Sequence, residues 1–149
     1  MINPHGGPLV DRMVPHPEEL DTTLTTITLS RRSQSDLEMI ATGACSPLTG
    51  FMSQQDYSSV VEEMRLANGS VWSIPITLPI SAEQVSNLKG VEEATLSTES
   101  DGVIGKIQIS DIYKPDKGRE AEKVYLTTCP LYTSPSPRDA TLPRMPSSA

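Results

Sequence analysis

The stretch from Ser33 to Ser81, SQSDLEMIATGACSPLTGFMSQQDYSSVVEEMRLANGSVWSIPITLPIS, sets two helix signatures, a helix-breaking corner and a proline-bounded strand in direct succession. Ser33 reads as an N-cap, with Asp36 three residues on as the carboxylate half of a capping box. Leu37, Ile40, Ala41 and Ala44 follow as an apolar stripe at helical spacing, and Gly43 marks where the helix frays. In Ser46-Pro47-Leu48-Thr49-Gly50, Pro47 lacks a backbone donor and restricts Ser46, so no helix passes through. A second helix begins at Ser53, with Asp56 at its third position and Tyr57, Val60, Val61 and Met64 on one face. Ala67-Asn68-Gly69 ends it with residues that tolerate the left-handed conformation. Trp72, Ile74, Ile76 and Leu78 then alternate with Ser73, Pro75, Thr77 and Pro79, a half-buried strand whose prolines put it at a sheet edge or bulge.

Residues 1–21, rich in Pro and Gly, read as an extended arm carrying both histidines, His5 and His16. Thr22 to Leu29 is β-branched and alternating, the pattern of a strand. Ser81 to Gly90 reads as a short helix with Gln84 completing its capping box. Glu93–Thr98 and Val103–Ile112 read as strands joined by a hairpin at Ser100-Asp101-Gly102. Glu120 to Tyr125 is ambiguous between helix and strand. The tally predicts an α+β domain over 22–128, a small pseudo-barrel of short, mostly antiparallel strands with inserted helices. Residues 129–149, CPLYTSPSPRDATLPRMPSSA, have no hydrophobic period, so they are expected to be disordered. LYTSPSPRD…RMPSSA resembles translated adapter or vector sequence and carries no weight in the fold prediction.

Composition narrows the function classes. A chain of 149 residues is one domain by default and buries about two-thirds of its unfolded surface. The net charge is −7, and up to Thr128 ten basic residues face eighteen acidic ones. That balance argues against nucleic acid, whose phosphates need clustered Lys and Arg. No run of apolar residues is long enough to span a membrane, and the N-terminus lacks a signal-peptide pattern. Cys45 and Cys129 stand far apart with no CxxC or Cys/His company. The expected setting is a reduced, soluble, cytoplasmic one.

Candidate chemistry is sparse. His5 and His16 with Asp11 are possible metal ligands, but solvated or capping histidines are the plainer reading. Cys45 as a nucleophile needs a positioned base, and a buried packing role is the plainer one. Ser46 has Ala44 and Leu48 where a nucleophile elbow needs glycines. Gly43 to Gly50 lacks the Lys-Ser/Thr of a phosphate loop. The adjacent pairs Glu18–Glu19, Glu62–Glu63 and Glu92–Glu93 point apart within an element and read as solvated charges. Arg31-Arg32, placed just before the expected helix, is the best anion-site candidate, with Asp36 and Glu38 close enough to pair with it instead. No catalytic, cofactor-binding or metal-binding residue is assigned.

The order of PHGG near the start, DLEMIATGACSPLTGFM, DYSSVVEEMRLANG and VWSIPITLPIS resembles the N-terminal region of the sulfate adenylyltransferase (ATP sulfurylase) family, collinearly from about Pro4 to Thr128. Cys45 departs from the larger apolar residue, such as Phe, expected there, and after Thr128 the family's acidic, His-containing connection is missing. The resemblance implies a PUA-like pseudo-barrel that precedes a catalytic nucleotidyltransferase domain. It implies that the full-length enzyme, with ATP and Mg, converts ATP and sulfate to adenosine 5′-phosphosulfate and pyrophosphate in sulfate assimilation. It further implies a homo-oligomer when full length. The family's QxRNP and HxxH substrate motifs do not occur in this sequence, so no substrate residue is carried over. The segment is expected to be a non-catalytic scaffold that is inactive alone and partners its missing C-terminal catalytic domain. Two alternatives are a stand-alone PUA-like RNA-binding module, which would need a basic groove, and an unrelated enzyme using the His5/His16 arm.

Overall fold

The structure, a computed structural model, describes residues 5–14 and 25–127. His16, Glu18–Glu19, the Thr22–Leu24 start of the first expected strand, the boundary at residue 21, Cys129 and the 129–149 tail lie outside the described residues.

Among the described residues seven elements follow in chain order: β1 (Thr26–Thr28), α1 (Arg31–Ala41), α2 (Gln54–Glu63), α3 (Ala82–Asn87), β2 (Glu93–Thr98), β3 (Gly102–Gln108) and α4 (Lys117–Lys123). The sheet order is β1-β2-β3, with β2–β3 antiparallel and β1–β2 parallel (Ile27 opposite Leu96). The expected α+β class therefore holds, with a mixed rather than a mostly antiparallel sheet. The parallel pair arises because α1, α2 and α3 all lie in the crossover between β1 and β2. The hairpin forms where its turn residues stand: Asp101 N–H donates to Thr98 Oγ1 (3.0 Å), and Gly102 supplies a positive φ of 70°. The second strand ends at Gln108, short of Ile112, after Ile109 N–H makes the last bond across to the Glu92 carbonyl (2.7 Å).

The helices correct three boundaries. α1 is capped by Ser30, whose hydroxyl accepts the Ser33 N–H (3.2 Å), so the helix begins three residues earlier than predicted and buries Ser33. It ends at Ala41, which leaves Ala44 exposed beyond it. α2 is capped by Ser53 as expected but stops at Glu63. Met64 takes a left-handed conformation (φ 54°) and turns outward, and Leu66 N–H and Trp72 N–H bond the Ser70 and Met64 carbonyls to form a tight hairpin. α3 carries the predicted Ser81–Gln84 capping box. The ambiguous 120–125 stretch forms helix α4, capped by Asp116.

Residues 72–78 are extended yet pair with no strand. Pro75 and Pro79 have no N–H to donate, and Met52 grips the middle of the segment through both Ile76 backbone groups, while Trp72 N–H ties its start to the Met64 carbonyl. Two apolar clusters hold the fold. One gathers Ile40, Cys45, Leu48, Met52, Val60 and Leu66 under α1 and α2, with Trp72 and Ile76 against it. The other places Ile27, Leu29, Leu88, Ala94 and Leu96 beneath the sheet. Leu96 is 1% exposed at the centre of the sheet cluster. Leu96→Ala is expected to cost about 2–5 kcal/mol in urea unfolding through lost transfer energy and the cavity left behind. A loss below about 1 kcal/mol would show that this side chain is not packed as described.

Candidate functional site

The two most distinctive sequence motifs meet. The arm crosses the corner after α1, with Arg12 N–H donating to the Ala41 carbonyl (2.9 Å) and Val10 N–H to Ser46 Oγ (3.0 Å). Ser46 Oγ–H in turn donates to the Gly43 carbonyl (2.7 Å), so both capacities of this buried hydroxyl are used in architecture. Gly43 has a φ of +84°, and a Cβ there would lie 2.6 Å from Leu9 Cδ1 and from the Val10 carbonyl. The glycines singled out as a possible phosphate loop thus serve a tight corner and the passage of the arm. His5 Nε2–H donates to the Val71 carbonyl (2.7 Å), which ties the arm to the hairpin after α2.

This geometry separates the sequence candidates. Cys45 is buried at the corner, and burial, followed by the Asp36 charge, pushes its thiol up, the direction opposite to nucleophilic activation. Among the described residues no group of three or more His, Cys, Asp and Glu converges. Glu62 is paired with Arg119, whose hydrogen bond holds the carboxyl below its ordinary value. Glu93 pairs across the sheet with Lys106 at 2.5 Å. Arg31 and Arg32 occupy the first turn of α1, where their charge opposes the helix dipole. They do not precede the helix, as the anion-site reading required. Arg32 and Asp36 share an open groove of about 430 Å³ with Trp72, Ile74, Pro75 and Ile76. Burial raises the Asp36 carboxyl, and the Arg32 charge counters that shift in part.

Sequence reasoning missed the buried polar cluster that joins α2 to α4. Tyr57 O–H donates to Glu120 Oε2 (2.9 Å), and Lys117 Nζ donates to the same oxygen (3.2 Å). Tyr113 O–H donates to the Met52 carbonyl (2.9 Å), and the two tyrosine rings lie 5.5 Å apart, tilted by 44°. Glu120 is 8% exposed, and these donors satisfy its buried carboxyl oxygen. Burial and the bond to Glu120 push the Tyr57 phenol well up, and burial beside Asp111 pushes Tyr113 up to about 12. Both phenols are therefore neutral structural donors near neutral pH. The only sequence signal was Tyr57 on the apolar face of α2, because its partner lies 63 residues away.

Gly43→Ala is expected to displace the arm and cost about 1–3 kcal/mol in denaturant unfolding, from backbone strain and the clash with Leu9. An unchanged midpoint would refute the close approach. The phenols give a pH signature. Their folded values lie above the ordinary 10, so the folded chain keeps protons that the unfolded chain releases. That stability is fully present below pH 10 and is lost as pH rises toward 12. The urea midpoint should fall between pH 9 and pH 11, and fall less in Tyr57→Phe/Tyr113→Phe. Equal falls in both would contradict the assignment.

The chain matches the family model described as PUA-like domain over residues 2–137. It is 50% identical over 127 residues to a sulfate adenylyltransferase of Chloroflexus aurantiacus, covering 84% of this chain and 32% of that protein. It is 45% identical over 133 residues to a sulfate adenylyltransferase of Synechococcus sp., covering 85% of this chain and 34% of that protein. Among solved structures, the hexameric APS kinase from Thiobacillus denitrificans superposes with a TM-score of 0.68 at 31% identity, over 78% of this chain and 24% of that one. The chain thus spans about a third of the length of these curated relatives, and the match falls in their N-terminal region.

Proposed function

Because the chain belongs to the PUA-like domain family, we propose that it works as the N-terminal, non-catalytic part of a sulfate adenylyltransferase. The observation that carries this reading is 50% identity over 127 residues with a protein of that name. The whole protein would join ATP and sulfate to give adenosine 5′-phosphosulfate and pyrophosphate, in the cytoplasm and as a homo-oligomer. The lining of the groove beside α1 supports placing ATP and its Mg outside this part. Arg32 shares its groove with a carboxylate, and the remaining lining is Ser73 and apolar side chains. Triphosphate binding needs convergent donors and cations, so that task falls to the polypeptide beyond these residues. The task left to this part is mechanical: to fold, and to carry the catalytic domain in a fixed orientation.

Two proteins test this reading. The 149-residue chain should release no pyrophosphate from ATP and sulfate. A chimera joining residues 1–127 to the remainder of the Chloroflexus aurantiacus relative should release it, at a rate within about tenfold of that relative, since one misplaced contact costs about 1.4 kcal/mol per tenfold. An inactive chimera beside an active parent enzyme would overturn the reading, as would sulfate-dependent turnover by the chain alone.

A further inference from the structure

We infer that Asn68-Gly69, at the tip of the hairpin after α2, is a self-modification site. It converts to isoaspartate without an enzyme, and the conversion unfastens the arm from that hairpin. Asn68 and Asn87 are the asparagines among the described residues, and their settings are opposite. Asn87 closes α3 and is followed by Leu88, 2% exposed, whose N–H is held by the Gln84 carbonyl (3.0 Å). Asn68 and Gly69 are both exposed, and a β-carbon added to Gly69 would meet nothing within 4 Å.

Deamidation needs the next residue's backbone nitrogen beside the side-chain carbonyl carbon, and a donor for the oxygen that takes up charge. The hairpin supplies both. Ser70 N–H donates to Asn68 Oδ1 (2.9 Å), which folds the side chain back along the Gly69 peptide. The same N–H faces the oxygen on which negative charge develops. One contact opposes the reaction: Gly69 N–H donates to the Leu66 carbonyl (2.8 Å) and must first be released, an opening that costs little at an exposed turn. Base then takes the Gly69 amide proton, the nitrogen forms a bond to Asn68 Cγ, and the Cγ–Nδ2 bond breaks with loss of ammonia. Water opens the resulting succinimide. Attack at the main-chain carbonyl carbon breaks its bond to the Gly69 nitrogen and leaves isoaspartate; attack at Cγ leaves aspartate. The similar turn at Asp101-Gly102 presents a carboxyl group, a poorer electrophile than an amide, with Ser100 and Thr98 hydroxyls on its Oδ2 (2.8 and 3.4 Å).

Isoaspartate routes the backbone through Cβ and Cγ, which lengthens it by a methylene. The hairpin is too tightly paired to absorb that. Leu66 N–H bonds the Ser70 carbonyl (2.9 Å), Trp72 N–H bonds the Met64 carbonyl (2.8 Å), and Arg65 pairs with Val71. The Arg65 guanidinium also donates to the Gly69 carbonyl (3.0 Å). An insertion between positions 68 and 69 shifts this register. The Val71 carbonyl is the acceptor for His5 Nε2–H (2.7 Å), so a change at the tip reaches the arm.

The test ages the 149-residue chain at mildly alkaline pH and follows it by peptide mapping, with isoaspartate marked by methyl transfer from a protein-isoaspartate methyltransferase. The peptide holding Asn68 should convert at least about tenfold faster than the one holding Asn87, since local opening separates them, and should take the methyl label. In the aged chain the Leu66 and Trp72 amides should exchange at least about tenfold faster, and the His5 ring resonances should move to those of a free peptide of residues 5–14. Asn68→Gln, aged in parallel, should take no label there and keep the fresh chain's exchange. Freshly prepared Asn68→Asp, which adds charge without lengthening the backbone, should also exchange like the fresh chain. Equal conversion of the two peptides, or a product at position 68 that takes no label, would overturn the site. Strong labelling with unchanged Leu66 and Trp72 exchange or unmoved His5 resonances would overturn the link to the arm, as would fresh Asn68→Asp that matches the aged chain.

Discussion

Met52 holds the separate pieces of this fold in register. Its N–H donates to the Ile76 carbonyl (2.9 Å), its thioether accepts the Ile76 N–H (3.4 Å), and its carbonyl accepts the Tyr113 hydroxyl (2.9 Å). One buried residue therefore joins the corner after α1, the extended segment before α3 and the connection after β3. From Tyr113 the chain of contacts passes to the Tyr57 ring and on to Glu120 and Lys117 on α4. The position of the last helix is thus set from the middle of the sequence. Buried polar groups satisfied in this way cost little, whereas any one left alone would cost about 1–3 kcal/mol.

The polar side chains that invite a catalytic reading are committed to architecture. Ser46 bridges the arm and the Gly43 carbonyl, Glu120 is gripped by a phenol and an ammonium, and Cys45 lines an apolar cluster. PHGG and GACSPLTG are distinctive because one lies across the other, and Gly43 has no room for a side chain beneath Leu9. Steric demand explains these motifs without assigning them a reaction.

Local signals were readable from the sequence, and distant ones were not. Ser53 and Ser81 cap their helices as predicted because a cap is settled within four residues. α1 misled because Ser30 and Ser33 both suit the role; the structure uses Ser30 and buries Ser33 against it, with the two hydroxyls 3.0 Å apart. The 72–78 segment has the alternation of a strand, yet a strand needs a neighbour, and none of the described strands lies beside it. The Tyr57–Glu120 bond spans 63 residues and left no periodic trace. The resemblance reached the family where periodicity alone could not.

The proposed function makes these features a support for chemistry carried by a longer polypeptide. Substrate affinity reads that division most directly. Calorimetric titration of MgATP into the 149-residue chain and into the chimera should give no saturable heat with the first and one-to-one binding with the second. Saturable one-to-one binding of MgATP by the 149-residue chain itself would contradict the account.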